Sequence, residues 1–123
     1  MLRKTHGVKM SFAGACFEGA VLADVTFGPR TLDLRGVSFR RARLKDVTFR
    51  MGLLESAVFT AADLEDVYFR SGQLQGADFG DSRLCRVSFE KANIDGINLL
   101  GAKLEQMDFW GHHDLEVRSP GAH

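Results

Sequence analysis

The sequence predicts an all-β solenoid of stacked coils, in which the chain turns a corner once every five residues. Three observations carry this. All ten phenylalanines fall on one ladder of period five: Phe12, Phe17 and Phe27, then Phe39, Phe49, Phe59, Phe69, Phe79, Phe89 and Phe109. The open rungs hold Leu22, Leu34, Leu44, Leu54, Leu64, Leu74, Leu84, Ile94, Leu99 and Leu104, which makes twenty apolar centres. A second ladder runs two residues behind the first, from Met10 to Met107. None of the forty positions is charged, although 32 of the 123 residues are Asp, Glu, Lys or Arg.

A spacing of five fits neither ordinary element. A helix buries residues three and four apart, and a strand alternates in twos. On one long strand Phe39 and Leu44 would point to opposite sides, so a uniform interior requires a corner in every repeat. Turn-forming residues stand where the corners are needed. Gly14, Gly19, Gly36, Gly76, Gly96, Gly101 and Gly111 follow a centre by two, and Asp24, Pro29, Asp46, Ser56, Asp66, Ser71 and Asp81 occupy comparable places. The backbone groups of such a path need neighbours above and below, which stacked coils provide at about 4.8 Å.

The pattern resembles the pentapeptide-repeat family on residues 10 to 111. Local matches to its Ala-(Asp/Asn)-Leu motif are Ala62-Asp63-Leu64, Ala77-Asp78-Phe79 and Ala92-Asn93-Ile94. The resemblance implies a right-handed quadrilateral β-helix with four repeats per coil, and hence about five coils. Strict alternation of Phe and Leu from Phe39 to Phe89 agrees with four sides. It predicts one column of Phe39, Phe59 and Phe79 ending on Leu99, and an opposite column of Phe49, Phe69, Phe89 and Phe109. Leu34, Leu54, Leu74 and Ile94 form a third column, and Leu44, Leu64, Leu84 and Leu104 a fourth. Val37, Val47, Val67 and Val87 accompany the phenylalanines, while Gly52, Gly72 and Ser82 accompany leucines. Ser82, the polar group facing in, is expected to bond to nearby backbone.

The elements follow in chain order. Residues 1–9 are a short polar lead-in. Residues 10–111 are the repeat, broken once between Phe27 and Leu34, where the spacing is seven. The break predicts a two-residue slip within 28–33, read as a structural kink, the alternative being a contact site with Arg30 at its tip. Residues 112–123 are a tail or cap. Leu100 and Trp110 each follow a centre by one, at a position that is usually polar here. Leu100, Phe109, Trp110, Leu115 and Val117 therefore form a candidate dimer end, since dimerisation through the C-terminal coil is common in the family. The same residues could instead cap the solenoid within one chain.

The charge is zero overall but uneven. Arg30 to Arg50 holds seven basic and two acidic residues, and Met51 to Ser82 holds six acidic and one basic. In a solenoid, position along the chain becomes height along the axis, so these blocks become bands. The basic belt, Arg35, Arg40, Arg41, Arg43, Lys45 and Arg50, is the candidate surface for an unidentified protein partner.

Several chemistries are disfavoured. The sequence has no Gly-rich phosphate loop, no Gly-x-Ser-x-Gly elbow and no Cys-x-x-Cys pair. His112-His113-Asp114 lacks further ligands apart from distant His123 and Asp108. No catalytic, cofactor or metal site is expected, and the chain is read as no enzyme. No apolar run suits a membrane span, and the N-terminus does not read as a secretory signal. Cys16 and Cys85, 69 residues apart, are expected as free thiols in the cytoplasm.

The first functional reading is a non-enzymatic protein–protein interaction scaffold. The alternative, implied by the resemblance, is a DNA mimic that binds DNA gyrase, modulating the topoisomerase or protecting it from quinolones. It rests on the acidic segment Glu55 to Asp81, and the adjoining basic belt weighs against it. Direct nucleic-acid binding is disfavoured because the belt has no interleaved exposed aromatics.

Overall fold

A computed structural model of the chain describes residues 11–27 and 32–109. Within them the apolar ladders become the interior. Phe39, Phe49, Phe59, Phe69, Phe79 and Phe89 are completely buried, as are Leu54, Leu64, Leu74 and Leu84. Burying every fifth residue on one axis forces the chain to coil, and each coil then hydrogen-bonds to the next. The result is an all-β solenoid.

Five strands, one per coil, form a parallel sheet in sequential order. They are β1 (Val21–Phe27), β2 (Arg43–Phe49), β3 (Asp63–Tyr68), β4 (Arg83–Cys85) and β5 (Lys103–Glu105). Single parallel bridges continue the same pairing elsewhere. Asp33 pairs with Leu53, Gln73 and Asn93 in succession, Ser38 with Val58, Asp78 and Asn98, and Tyr68 with Ser88 and Asp108. Each coil thus contributes to four ladders, five residues apart, led by Asp33, Ser38, Arg43 and Thr48.

The register locates the slip. Arg43 pairs with Asp63, twenty residues on, but Val21 pairs with Arg43 across twenty-two. Ser11 with Asp33 and Cys16 with Ser38 show the same surplus of two. Residues 28–31, including Arg30, lie outside the described residues, as do the lead-in 1–9 and the tail 112–123.

The predicted columns form. Phe39, Phe59 and Phe79 stack with centroids 5.2 and 4.8 Å apart, and Phe17 extends that column below Phe39 at 5.3 Å. Phe27, Phe49, Phe69, Phe89 and Phe109 stack in the second column at 5.0 to 5.6 Å. The two columns meet edge to face, as where Phe59 lies 5.7 Å from Phe69 with planes 78° apart. Both arrangements are favoured aromatic geometries. Ser82 donates its hydroxyl to the Phe79 carbonyl at 2.6 Å.

The corners are more uniform than the sequence suggests. At every corner among the described residues, the residue two after the centre has positive φ. The next N–H often closes the turn on the centre's carbonyl, as from Ala42 to Phe39 at 2.9 Å. Six glycines take this conformation, and so do twelve other residues, among them Arg41, Met51, Ala61, Arg86, Lys91 and Gln106. Nothing about these side chains favours left-handed backbone. The coil pairing imposes it.

The Asp and Asn of the repeat motif have a local task. Asp78 Oδ1 accepts the Gly80 N–H at 2.8 Å, and Asn93 and Asn98 accept the N–H of Asp95 and Leu100 at 3.1 and 3.0 Å. These side chains satisfy the backbone donor at the start of the corner, as in Asx turns. Asp63, in the same motif position, bonds elsewhere.

Candidate protein-binding surface

The interior consumes the apolar side chains, so any recognition falls to residues on the outside of the ladders. The residue before each centre lies on one of the four ladders and projects outward, and the two residues after the centre lead into the corner. This geometry distributes the six residues of the basic belt. Arg35 lies on the Asp33 ladder, Arg40 follows the Ser38 ladder, and Arg41 turns the next corner. Arg43 and Lys45 lie on β2, and Arg50 follows it on the Thr48 ladder. All six are exposed. The belt is therefore a ring around one coil. The structure gathers only Arg40, Arg41, Arg43 and Lys45 at one corner and the side beyond it.

Ion pairing separates the two charge bands. Arg35 grips Asp33 through two hydrogen bonds of 2.8 and 2.9 Å. The guanidinium and the Arg35 N–H pull the Asp33 carboxyl from its ordinary 3.8 down to about 2. In the acidic band, Asp63 pairs with Arg83 at 3.3 Å, while Arg86 reaches Glu65 at 3.0 Å and Asp66 at 2.7 Å. The hydrogen bond from Arg86 lowers the Asp66 pKa, and Lys45 adds a weaker pull. Asp63, Glu65 and Asp66 of the third coil are thus compensated by arginines of the fourth. By contrast, Arg40, Arg41, Arg43 and Arg50 make no ion pair among the described residues.

A shallow groove of about 220 Å³ adjoins the basic corner. It is lined by the outward-facing Val21, Ala23, Arg43, Lys45, Asp63 and Glu65, and by Leu22 and Leu44, whose side chains belong to the core. Val21 is 59% exposed at a position that carries a charge in the next four coils. It went unnoticed as a site residue in the sequence, where its only signal is that break in polarity. The volume is below the roughly 300 Å³ at which small-molecule sites begin, and suits a single side chain.

A second hollow of about 210 Å³ lies on the Thr48 ladder around Tyr68, Ser88 and Asp108. Its polar groups engage one another. Arg70 lies 5.3 Å from the Tyr68 ring centre and 3.8 Å from Glu90, and Ser88 donates to Asp108 at 3.2 Å.

Of the candidate dimer end, Leu100 is 55% exposed and Phe109 is half-buried against Phe89. Trp110, Leu115 and Val117 lie outside the described residues, as do His112, His113 and Asp114. Among the described residues no group of three or more His, Cys, Asp or Glu is placed to hold a metal ion. No helix there is long and apolar enough to cross a membrane. Cys16 is an exposed free thiol and Cys85 a buried one.

Comparison with known proteins agrees with this architecture. The family model of a pentapeptide repeat region matches residues 8–79, and that of eight-copy pentapeptide repeats matches residues 62–106. No curated protein matches the sequence. Among solved structures, a pentapeptide repeat protein of the Arabidopsis thaliana thylakoid lumen aligns at 23% identity and a TM-score of 0.59, covering 77% of this chain and 68% of that one. Rfr23, from the cyanobacterium Cyanothece 51142, aligns at 19% identity and a TM-score of 0.57, covering 90% of this chain and 88% of its own. At these identities the likeness is one of fold.

Proposed function

The chain belongs to the pentapeptide-repeat family, and on that premise we propose that it is a non-enzymatic scaffold for protein–protein contact. One observation carries this reading: Arg40, Arg41 and Arg43 are exposed around one corner with no ion pair among the described residues, while Asp63, Glu65 and Asp66 beside them are paired with Arg83 and Arg86. Unpaired, solvated cations on a rigid side attract and orient an oppositely charged surface. The finer architecture, right-handed and quadrilateral, belongs to the same proposal and is supported by four ladders in each twenty-residue coil. The free thiols of Cys16 and Cys85 fit the cytoplasmic setting expected from the sequence. Affinity capture from the native host extract tests the reading. A saturable, stoichiometric protein partner is expected, and repeated capture of none would refute it.

The gyrase-binding alternative needs an acidic surface that stands in for DNA phosphates. Pairing of Asp63, Glu65 and Asp66 with Arg83 and Arg86 weakens that surface. Gyrase supercoiling with and without the protein decides it, and an unchanged rate at micromolar protein removes the alternative. The C-terminal homodimer is also proposed, supported by the exposure of Leu100. Light scattering should show a dimer that Trp110→Ala converts to monomer, and a monomeric wild type would contradict it.

A further inference from the structure

The geometry points to a specific occupant for the basic corner: a short acidic segment of a partner protein that carries one apolar side chain, seated in the groove over Val21 and Ala23. This rests on the scaffold reading and deepens it.

The side chains supply both halves of the recognition. Asp63 is the register partner of both Arg43 and Arg83 in the third ladder, and its ion pair goes to Arg83. Arg43 is left at the lip of an apolar groove with its guanidinium uncommitted, and Arg40 and Arg41 stand upstream across one corner. A carboxylate can meet a guanidinium through two parallel hydrogen bonds, so adjacent acidic residues suit this edge. The groove, at about 220 Å³, receives one side chain of roughly leucine size.

The surroundings disfavour a phosphate polymer. On the far edge of the same side, Asp24 and Asp46 occupy successive corners of the first two coils, with Asp66, paired to Arg86, at the next. A nucleic-acid backbone laid along this side would meet that acidic ridge, whereas a short peptide reaches the arginines and stops at the groove. Nor does the belt as a whole offer a nucleic-acid track, because Arg35 is paired and Arg50 points from another side.

The test is fluorescence anisotropy with four labelled probes at low and physiological salt. They are a peptide with two acidic residues on each side of a leucine, the same peptide with serine for leucine, a peptide with lysine for every acidic residue, and a duplex DNA. The leucine peptide should bind saturably and weaken with salt. Its affinity should fall at least tenfold with Arg40→Glu, Arg41→Glu and Arg43→Glu combined. It should fall several-fold with Val21→Ser or with the serine peptide. Circular dichroism of each variant confirms the fold. Absence of saturable binding, equal binding by the triple variant, indifference to the leucine, or preference for DNA each overturns the inference. A partner captured from extract in spite of such a result leaves the scaffold reading standing and removes only this occupant.

Discussion

Asp63 gives its carboxylate to Arg83 at 3.3 Å although Arg43 stands beside it on the opposite side of the same ladder. That choice shapes the surface. It neutralises the third coil against the fourth and leaves the second coil with uncommitted cations. Arg86 completes the same division by holding both Glu65 and Asp66.

The corners offer the most direct test of the backbone geometry. Met51 and Ala61 have φ of 56° in exposed turns, where a Cβ costs about 1–2 kcal/mol. Met51→Gly and Ala61→Gly should each raise stability by about 1 kcal/mol, offset in part by the freer unfolded chain. Gly101→Ala should do the reverse. It adds a Cβ at φ 77°, from which the exposed Asp81 carboxylate can swing away, so the backbone strain sets the expected loss at about 1–2 kcal/mol. Urea unfolding measures all three, and a stabilised Gly101→Ala would contradict the geometry.

The aromatic columns should dominate stability. Phe59 is fully buried between Phe39 and Phe79 and meets Phe69 edge on. Phe59→Ala removes these contacts and should cost about 3–5 kcal/mol, a large part of the roughly 5–15 kcal/mol available to a small domain. Thermal unfolding should show a much lower midpoint, or no cooperative transition. A loss below about 1 kcal/mol would show that the columns are not tightly packed.

Stability should fall in acid, with a definite sign. The carboxyls of Asp33 and Asp66 are both depressed in the folded state by arginine hydrogen bonds, Asp33 to about 2. A depressed carboxyl stabilises the fold above its unfolded pKa and loses that contribution as pH falls through its folded one. For Asp33 the loss runs from about pH 4 toward pH 2. Asp33→Asn and Asp66→Asn should flatten the dependence there and lower stability at neutral pH. Chemical denaturation between pH 2 and 7 measures this, and parallel curves for wild type and variants would disprove the linkage.

The legibility of the sequence follows from the range of the interactions. The core was legible because each side chain repeats its environment every five residues, and the Phe columns and the Ser82 bond to Phe79 follow from that. The slip was legible as a phase change and reappears as the two-residue surplus in register. The corner residues Arg41, Met51 and Ala61 were not, because coil pairing imposes positive φ on side chains with no preference for it. The fate of the charges was also hidden. Ion pairs join residues twenty or twenty-one apart on neighbouring coils, so Arg83 and Arg86 pair with Asp63, Glu65 and Asp66 of an acidic block that appeared separate from them. A block of arginines along the chain likewise becomes a ring, of which one corner faces the groove.

The central claim is that the uncommitted cations at one corner recognise the partner. It is tested most directly by capture from host extract with three proteins: wild type, the Arg40→Glu, Arg41→Glu and Arg43→Glu triple variant, and Arg35→Ala, which removes a cation already bound to Asp33. The partner should be retained by wild type and Arg35→Ala and lost by the triple variant. Undiminished capture by a folded triple variant would contradict the account.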